Sequence, residues 1–243
     1  MRISTRSIIN GYSRNLNKTT LNLNSSRIKV LTKQNFTSIA EDPSAATRSF
    51  KLWREYNENA DYVDNVQSTI KLYDSISAST LQVSQVLSND VSEDALKAIN
   101  GATSYEGRQT YAKTLRGMQE TIILSMNGTY GDRFLFGGAS TKDVPFDLTD
   151  DGTLEYRGID VNTNDPDEIK QLEEYMNETL YIDIGFGMQE ANGVFQDDSA
   201  FNTAVSGLKM LGYGNTDDGI SKNVVTLLGQ MADELEKEPF DEE

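Results

Sequence analysis

The sequence predicts a mainly α-helical protein: a long antiparallel helical rod, a small β-rich domain inserted into it, and an N-terminal helix of coiled-coil character. Three observations carry this. No Gly or Pro interrupts residues 44–100, and apolar or small residues recur there in steps of four and three, the spacing of one helix face. After residue 128 that period gives way to short apolar runs bounded by glycines, the pattern of strands and turns. Ahead of both, Ile9, Leu16, Leu23 and Val30 recur every seven residues, as in a heptad seam.

The seam is thin. Its companion positions Tyr12, Thr19 and Ser26 are mostly polar, and Asn10, Asn15, Asn17, Asn22 and Asn24 crowd the same stretch; asparagine is a mediocre helix former. Residues 1–40 are therefore expected to form a helix only against partners and to be disordered in the monomer. They hold seven of the 22 cations and none of the 38 acids of a chain whose net charge is −16. A basic head on an acidic body fits nucleic-acid binding, membrane binding or self-association. As a nucleic-acid arm the segment has only Tyr12 and Phe36 as interleaved aromatics, and the acidic body repels phosphate. As a membrane-surface helix it lacks bulky apolar anchors. Self-association is preferred, with Ile9, Leu16, Leu23 and Val30 as the interface and Arg14, Lys18 and Arg27 facing acidic neighbours. No nucleic acid and no membrane insertion are expected; no apolar run approaches the roughly 20 residues that span a bilayer.

Asp42 and Pro43 open the next helix as cap and first-turn residue. Its stripe runs Val66, Ile70, Tyr73, Ser77, Thr80, Ser84, Leu87, extended N-terminally by Ala46, Trp53 and Ala60. Trp53, Val66, Ile70, Tyr73 and Leu87 are thus the expected rod core. A third helix fits Ser104 to Asn127, with Ala112, Leu115, Ile122 and Met126 on one face, and the two helices are expected to pair as an antiparallel hairpin within residues 41–128. Residues 129–205 form the expected inserted domain. There Arg133–Phe136 is a short apolar run, and Phe146–Leu148 and Thr153–Tyr156 flank the turn Asp150-Asp151-Gly152. Asp165 caps a helix through Met176, with Glu168 placed for a capping box, and Leu180–Ile184 reads as a strand. Helical character returns at Asn202–Leu211 and at Ile220–Glu236, whose apolar face is Val224, Leu227, Leu228, Met231 and Leu235. Residues 206–243 are then the return helix of the rod and an acidic tail.

Composition narrows the chemistry. The chain has no Cys and no His, which excludes disulfides, thiolate catalysis and every triad built on imidazole. Asp147 to Gly152 resembles the start of a calcium loop, but Thr149 and Gly158 stand at ligand positions, so a turn is the better reading. Gly185-Phe-Gly187 is followed by Glu190 where a dinucleotide fingerprint needs Gly. No catalytic, cofactor-binding or metal residue is assigned, no cofactor is expected, and the chain reads as a structural protein rather than an enzyme.

Several motifs, in order, resemble the flagellin superfamily and, within it, the type 3 hook-associated proteins that join hook to filament. These are Met1-Arg-Ile-Ser-Thr5, Ser25-Ser-Arg27, Ala40-Glu-Asp-Pro-Ser-Ala-Ala46, Asn65, Gly131-Asp-Arg-Phe-Leu-Phe-Gly-Gly138, Pro145-Phe146 and Thr153-Leu-Glu-Tyr-Arg-Gly158. Glu41 stands where the family pattern has Asp. The resemblance implies an extracellular flagellar protein, exported unfolded by the type III route without a cleaved signal peptide. Its implied partners are copies of itself, a neighbouring hook-associated protein, flagellin and an export chaperone. It also implies a further rod helix and a terminal helix beyond Glu243, which this chain is expected to lack. A flagellin-type filament subunit is the alternative within the class; a cytosolic coiled-coil adaptor and a secreted enzyme stand outside it.

Overall fold

The computed structural model describes residues 5–36, 38–100, 103–149, 151–191, 194–195 and 200–237. The opening Met1–Ser4, Gly101, Asp150 of the turn and the tail from Glu238 lie outside the described residues. The chain falls into two compact units, Met1–Ala60 and Asp61–Glu243.

The first unit contains helix α1 (Thr5–Thr32) and the start of α2 (Pro43–Gln85). Asp42 caps α2 as the sequence predicts, its carboxylate accepting from the Ala45 amide at 2.9 Å. The helix does not end at Gln85. It passes into a π-helical turn, Val86–Val91, and then into α3 (Ser92–Ala98), with helical backbone at both joints. The Ser92 hydroxyl donates to the Leu87 carbonyl five residues back, at 3.2 Å. Ser104 caps α4 (Tyr105–Met126) by accepting from the Gly107 amide.

In the second unit the core-facing side of α2 differs from the predicted stripe. Thr69, Leu72, Ile76 and Val83 are buried, whereas Val66 and Ile70 are exposed. The true seam lies about one position away, which on a helix is a rotation of roughly 100°. Ala112, Leu115, Ile122 and Met126 of α4 are fully buried, as their spacing predicts. Their main neighbour is not α2 but α7 (Val224–Leu235), and α4 meets the long helix chiefly through the π turn and α3.

Among the described residues eleven short strands follow: β1 (Thr129–Tyr130), β2 (Arg133–Phe134), β3 (Gly137–Gly138), β4 (Phe146–Leu148), β5 (Leu154–Tyr156), β6 (Ile159–Asp160), β7 (Tyr181–Asp183), β8 (Glu190–Ala191), β9 (Val194–Phe195), β10 (Ala200–Asn202) and β11 (Val205–Ser206). Between β6 and β7 lies α5 (Pro166–Met176); after β11 come α6 (Leu208–Leu211) and α7 (Val224–Leu235). β4, β5 and β6 form an antiparallel meander with Leu148 opposite Leu154, closing the turn read from the sequence. Glu168 does not complete a capping box. Asp165 caps α5 through the Asp167 amide, while Glu168 accepts from the Thr163 hydroxyl, which itself accepts from the Asp165 amide. The predicted helix over Asn202–Leu211 is helical only in its last turn, α6: Asn202 ends β10, which pairs with β7, and Val205–Ser206 form β11, which pairs with β3. Pairing with distant strands overrides local preference there.

Side chains fasten this region to the helices. Asn127, just past α4, uses its amide to bond both backbone groups of Phe146, at 2.7 and 3.0 Å. Buried Tyr156 donates to the Phe136 carbonyl at 2.9 Å, with Ser206 Oγ at 3.2 Å; burial raises its hydroxyl pKa. Arg157, at φ +53°, binds Glu178 at 2.7 Å and lies 3.9 Å over the Tyr175 ring. Glu178 also accepts from the Ala139 amide. A Cβ at Gly138 would stand 2.9 Å from that carboxylate, so the position needs glycine for space as well as for its positive φ.

α7 runs along α4. Val225, Leu228, Ala232 and Leu235 are its buried face, so Val224, Leu227 and Met231 lie to one side of the seam. Gln119 donates to the Val225 carbonyl at 3.0 Å, and Arg116 binds Asp233 at 2.6 Å and Glu236 at 3.1 Å.

Candidate assembly surfaces

Two helices expose apolar residues in series. In α1 no residue is buried. The predicted seam residues Ile9, Leu16, Leu23 and Val30 share this one helix and are 52–77% exposed, as are Ile8, Leu21 and Leu31 nearby. Arg14 bonds the Asn10 carbonyl four residues back, and neither it, Lys18 nor Arg27 forms an ion pair among the described residues. α1 is therefore a basic helix whose apolar side chains are exposed among the described residues.

The second series is on α2. Trp53 was expected in a rod core; it is 62% exposed, its ring meeting Tyr56 edge-on at 5.9 Å. Phe50, Leu52 and Tyr56 are exposed beside it. Phe50, Trp53 and Tyr56 stand three residues apart, a spacing that puts all three on one side of the helix. Exposed ion pairs Lys51–Glu55 and Arg54–Glu58 run along the same turns.

In the second unit Val66 and Ile70 are exposed, correcting their placement in the core: α2 turns Leu72 and Ile76 inward instead. Tyr73 and Leu87 are half-buried against the core. Tyr73 faces strands rather than a helix. Its hydroxyl donates to the Asn202 carbonyl at 3.0 Å and its ring meets Phe201 at 5.6 Å; burial raises its pKa. Asn65 reaches the same pair of strands, β7 and β10, by donating to the Asp183 carbonyl at 3.1 Å. Gly185 fits flat against Tyr62, where a Cβ would come within 2.9 Å of the ring.

No family model matches the chain, and no curated protein matches it. Among solved structures it is similar to a protein assigned as a flagellar hook-associated protein in Vibrio parahaemolyticus. The identity is 19% at a TM-score of 0.49, covering 83% of this chain and 75% of that one. It is also similar to FlgL of Xanthomonas campestris in two crystal forms. These give 19% and 17% identity and TM-scores of 0.41 and 0.39, over 68% and 66% of this chain. The chain spans 42% of the length of each Xanthomonas structure.

Proposed function

We propose that this protein is a structural component of the bacterial flagellum that joins hook to filament, polymerising through helix packing rather than turning over a substrate. The observation that carries assembly is α1: 28 residues of helix, none buried, with an apolar seam and no acid. A lone helix gains too little to offset the entropy of ordering it, so a helix of this composition is stabilised by neighbours. Its partners are copies of itself, an adjacent hook-associated protein and flagellin, met outside the cell after export with the help of a chaperone. The flagellar assignment rests on the order of the sequence motifs, from Ala40–Ala46 through Gly131–Gly138 to Pro145-Phe146.

Two measurements test it. In dilute monomer the amides of residues 5–32 should exchange with solvent far faster than those of α4; strong protection there would contradict a helix that awaits partners. Cells lacking the gene should keep hooks, lose attached filaments and release filament subunits into the medium. Attached filaments of normal length on such cells would refute the junction role.

A further inference from the structure

We propose that the outer face of α2 is a coiled-coil seam that receives α1 of a second copy, the two helices lying parallel with Leu16 over Val63 and Leu23 over Ile70. Trp53, Tyr56, Val63, Ile70 and Leu81 are 54–67% exposed and lie on this one helix. Ala60, Gln67, Asp74 and Ser77, also exposed, stand between them. Together they follow one another in steps of three and four from Trp53 to Leu81, an unbroken heptad seam. It lies on the opposite side of the helix from the buried Leu72 and Ile76. The inference rests on the reading of α1 as an assembly helix and adds the surface that receives it.

Length, charge and register select α1 as the occupant. α1 has 28 residues, about 42 Å at about 1.5 Å per residue, and the seam from Trp53 to Leu81 is of matching length. Between Thr5 and Thr32 stand five cations and no acid; between Trp53 and Leu81 stand five acids and two cations, Arg54 and Lys71. Two α1 helices therefore repel each other, whereas α1 and α2 attract. In the unit that holds α1 and the start of α2, no residue of α1 is buried and Trp53 and Tyr56 are exposed. The α1 that covers this seam therefore comes from another copy.

In a parallel coiled coil like positions stack in layers. With Leu16 on Val63 and Leu23 on Ile70, Ile9 meets Tyr56 and Val30 meets Ser77. The alternate layers then set Ser13 on Ala60, Thr20 on Gln67 and Arg27 on Asp74, and bring the Arg6 guanidinium to the face of Trp53. Neither Arg27 nor Asp74 forms an ion pair among the described residues. A slip of one heptad sets Arg27 against Leu81 or Gln67 and loses that pair. An antiparallel α1 sets its leucines against the polar layers of α2. The contact joins different surfaces on the two copies, so it propagates from copy to copy as a ring or an open chain.

The test follows sedimentation of the full chain against concentration, in the wild type, in Leu16→Asp with Leu23→Asp, and in Val63→Asp with Ile70→Asp. The wild type should associate as it is concentrated, and each variant alone should stay monomeric. An equimolar mixture of the two variants should form a dimer and stop there, because one intact α1 and one intact α2 seam remain. Association of the Val63/Ile70 variant alone at wild-type strength overturns this proposal and leaves α1 as an assembly helix. Association of the Leu16/Leu23 variant alone at wild-type strength overturns both. A wild type that stays monomeric, or a mixture without dimer, shows that the α2 seam has another occupant or none and also overturns the proposal. Arg27→Asp and Asp74→Arg should each weaken association about tenfold, and the two together should restore it. Absence of that restoration overturns the register. These charge variants alter no apolar side chain and decide the matter should a seam variant fail to fold.

Discussion

Leu72→Asp and Ile76→Asp are expected to unfold the Asp61–Glu243 unit at temperatures where the wild type is native, while Ile70→Asp leaves its melting curve nearly unchanged. Leu72 is 4% and Ile76 8% exposed, against 55% for Ile70. Truncating a buried leucine or isoleucine to alanine alone destabilises by about 2–5 kcal/mol. A carboxylate at the same place adds the penalty of an unpaired buried charge, or of the proton it must take up to avoid one. Against a total stability of about 5–15 kcal/mol for a typical domain, that is a large share. At the exposed Ile70 the expected change is within about 0.5 kcal/mol. Thermal and urea melts followed by circular dichroism decide it. If Ile70→Asp melts together with Leu72→Asp, the helical register described for α2 is wrong.

The second large effect concerns assembly. Leu16→Asp combined with Leu23→Asp is expected to abolish incorporation into flagella and leave the fold of residues 61–237 intact. Both leucines lie on α1 and are more than half exposed, so the double substitution removes apolar area available to neighbours without opening a core. Exposed ion pairs contribute about 0–1 kcal/mol each; the seam therefore supplies affinity, and Arg14, Lys18 and Arg27 mainly set register. The purified variant should match the wild type in its melting curve, be exported, and fail to support filaments. Normal filaments on cells that export it would remove α1 from the assembly mechanism.

How far the sequence foretold these features depended on whether local residues or distant ones decide them. Turn chemistry is local, and the hairpin around Gly152 and the Asp42 and Asp165 caps fell where expected. The face of α4 was legible because Ala112, Leu115, Ile122 and Met126 are its main apolar series. α2 offers two overlapping series one residue apart, Val66-Ile70-Tyr73 and Thr69-Leu72-Ile76, and periodicity cannot rank them; the strands that pack on the helix do. The π turn left no compositional mark, since Val86–Val91 contains ordinary helix-compatible residues. Asn202 and Val205–Ser206 are strand only because Tyr181–Asp183 and Gly137–Gly138 lie beside them. The alignment of α7 with α4 belongs to the same class of long-range fact. Of the candidate surfaces, the α1 seam could be read from its sevenfold repeat, whereas the exposure of Trp53 could not: a tryptophan on an apolar stripe looks alike whether or not something covers it.

The pairing of α4 with α7 also has a consequence in time. The hydrogen bond from Gln119 to Val225 joins residues 106 apart in sequence. The entropy of closing a loop rises with its length, by about 0.6 kcal/mol per doubling, and contacts at such separation slow folding. Pairing of β3 with β11 brings residues 137–138 against 205–206, which shortens the loop still to be closed before α7 reaches α4. Strand pairing in the region between the helices thus lowers the entropy still to be overcome when the last helix seats. Loosening the β3–β11 pairing is then expected to slow the docking of α7 on α4, although neither strand belongs to that helix pair.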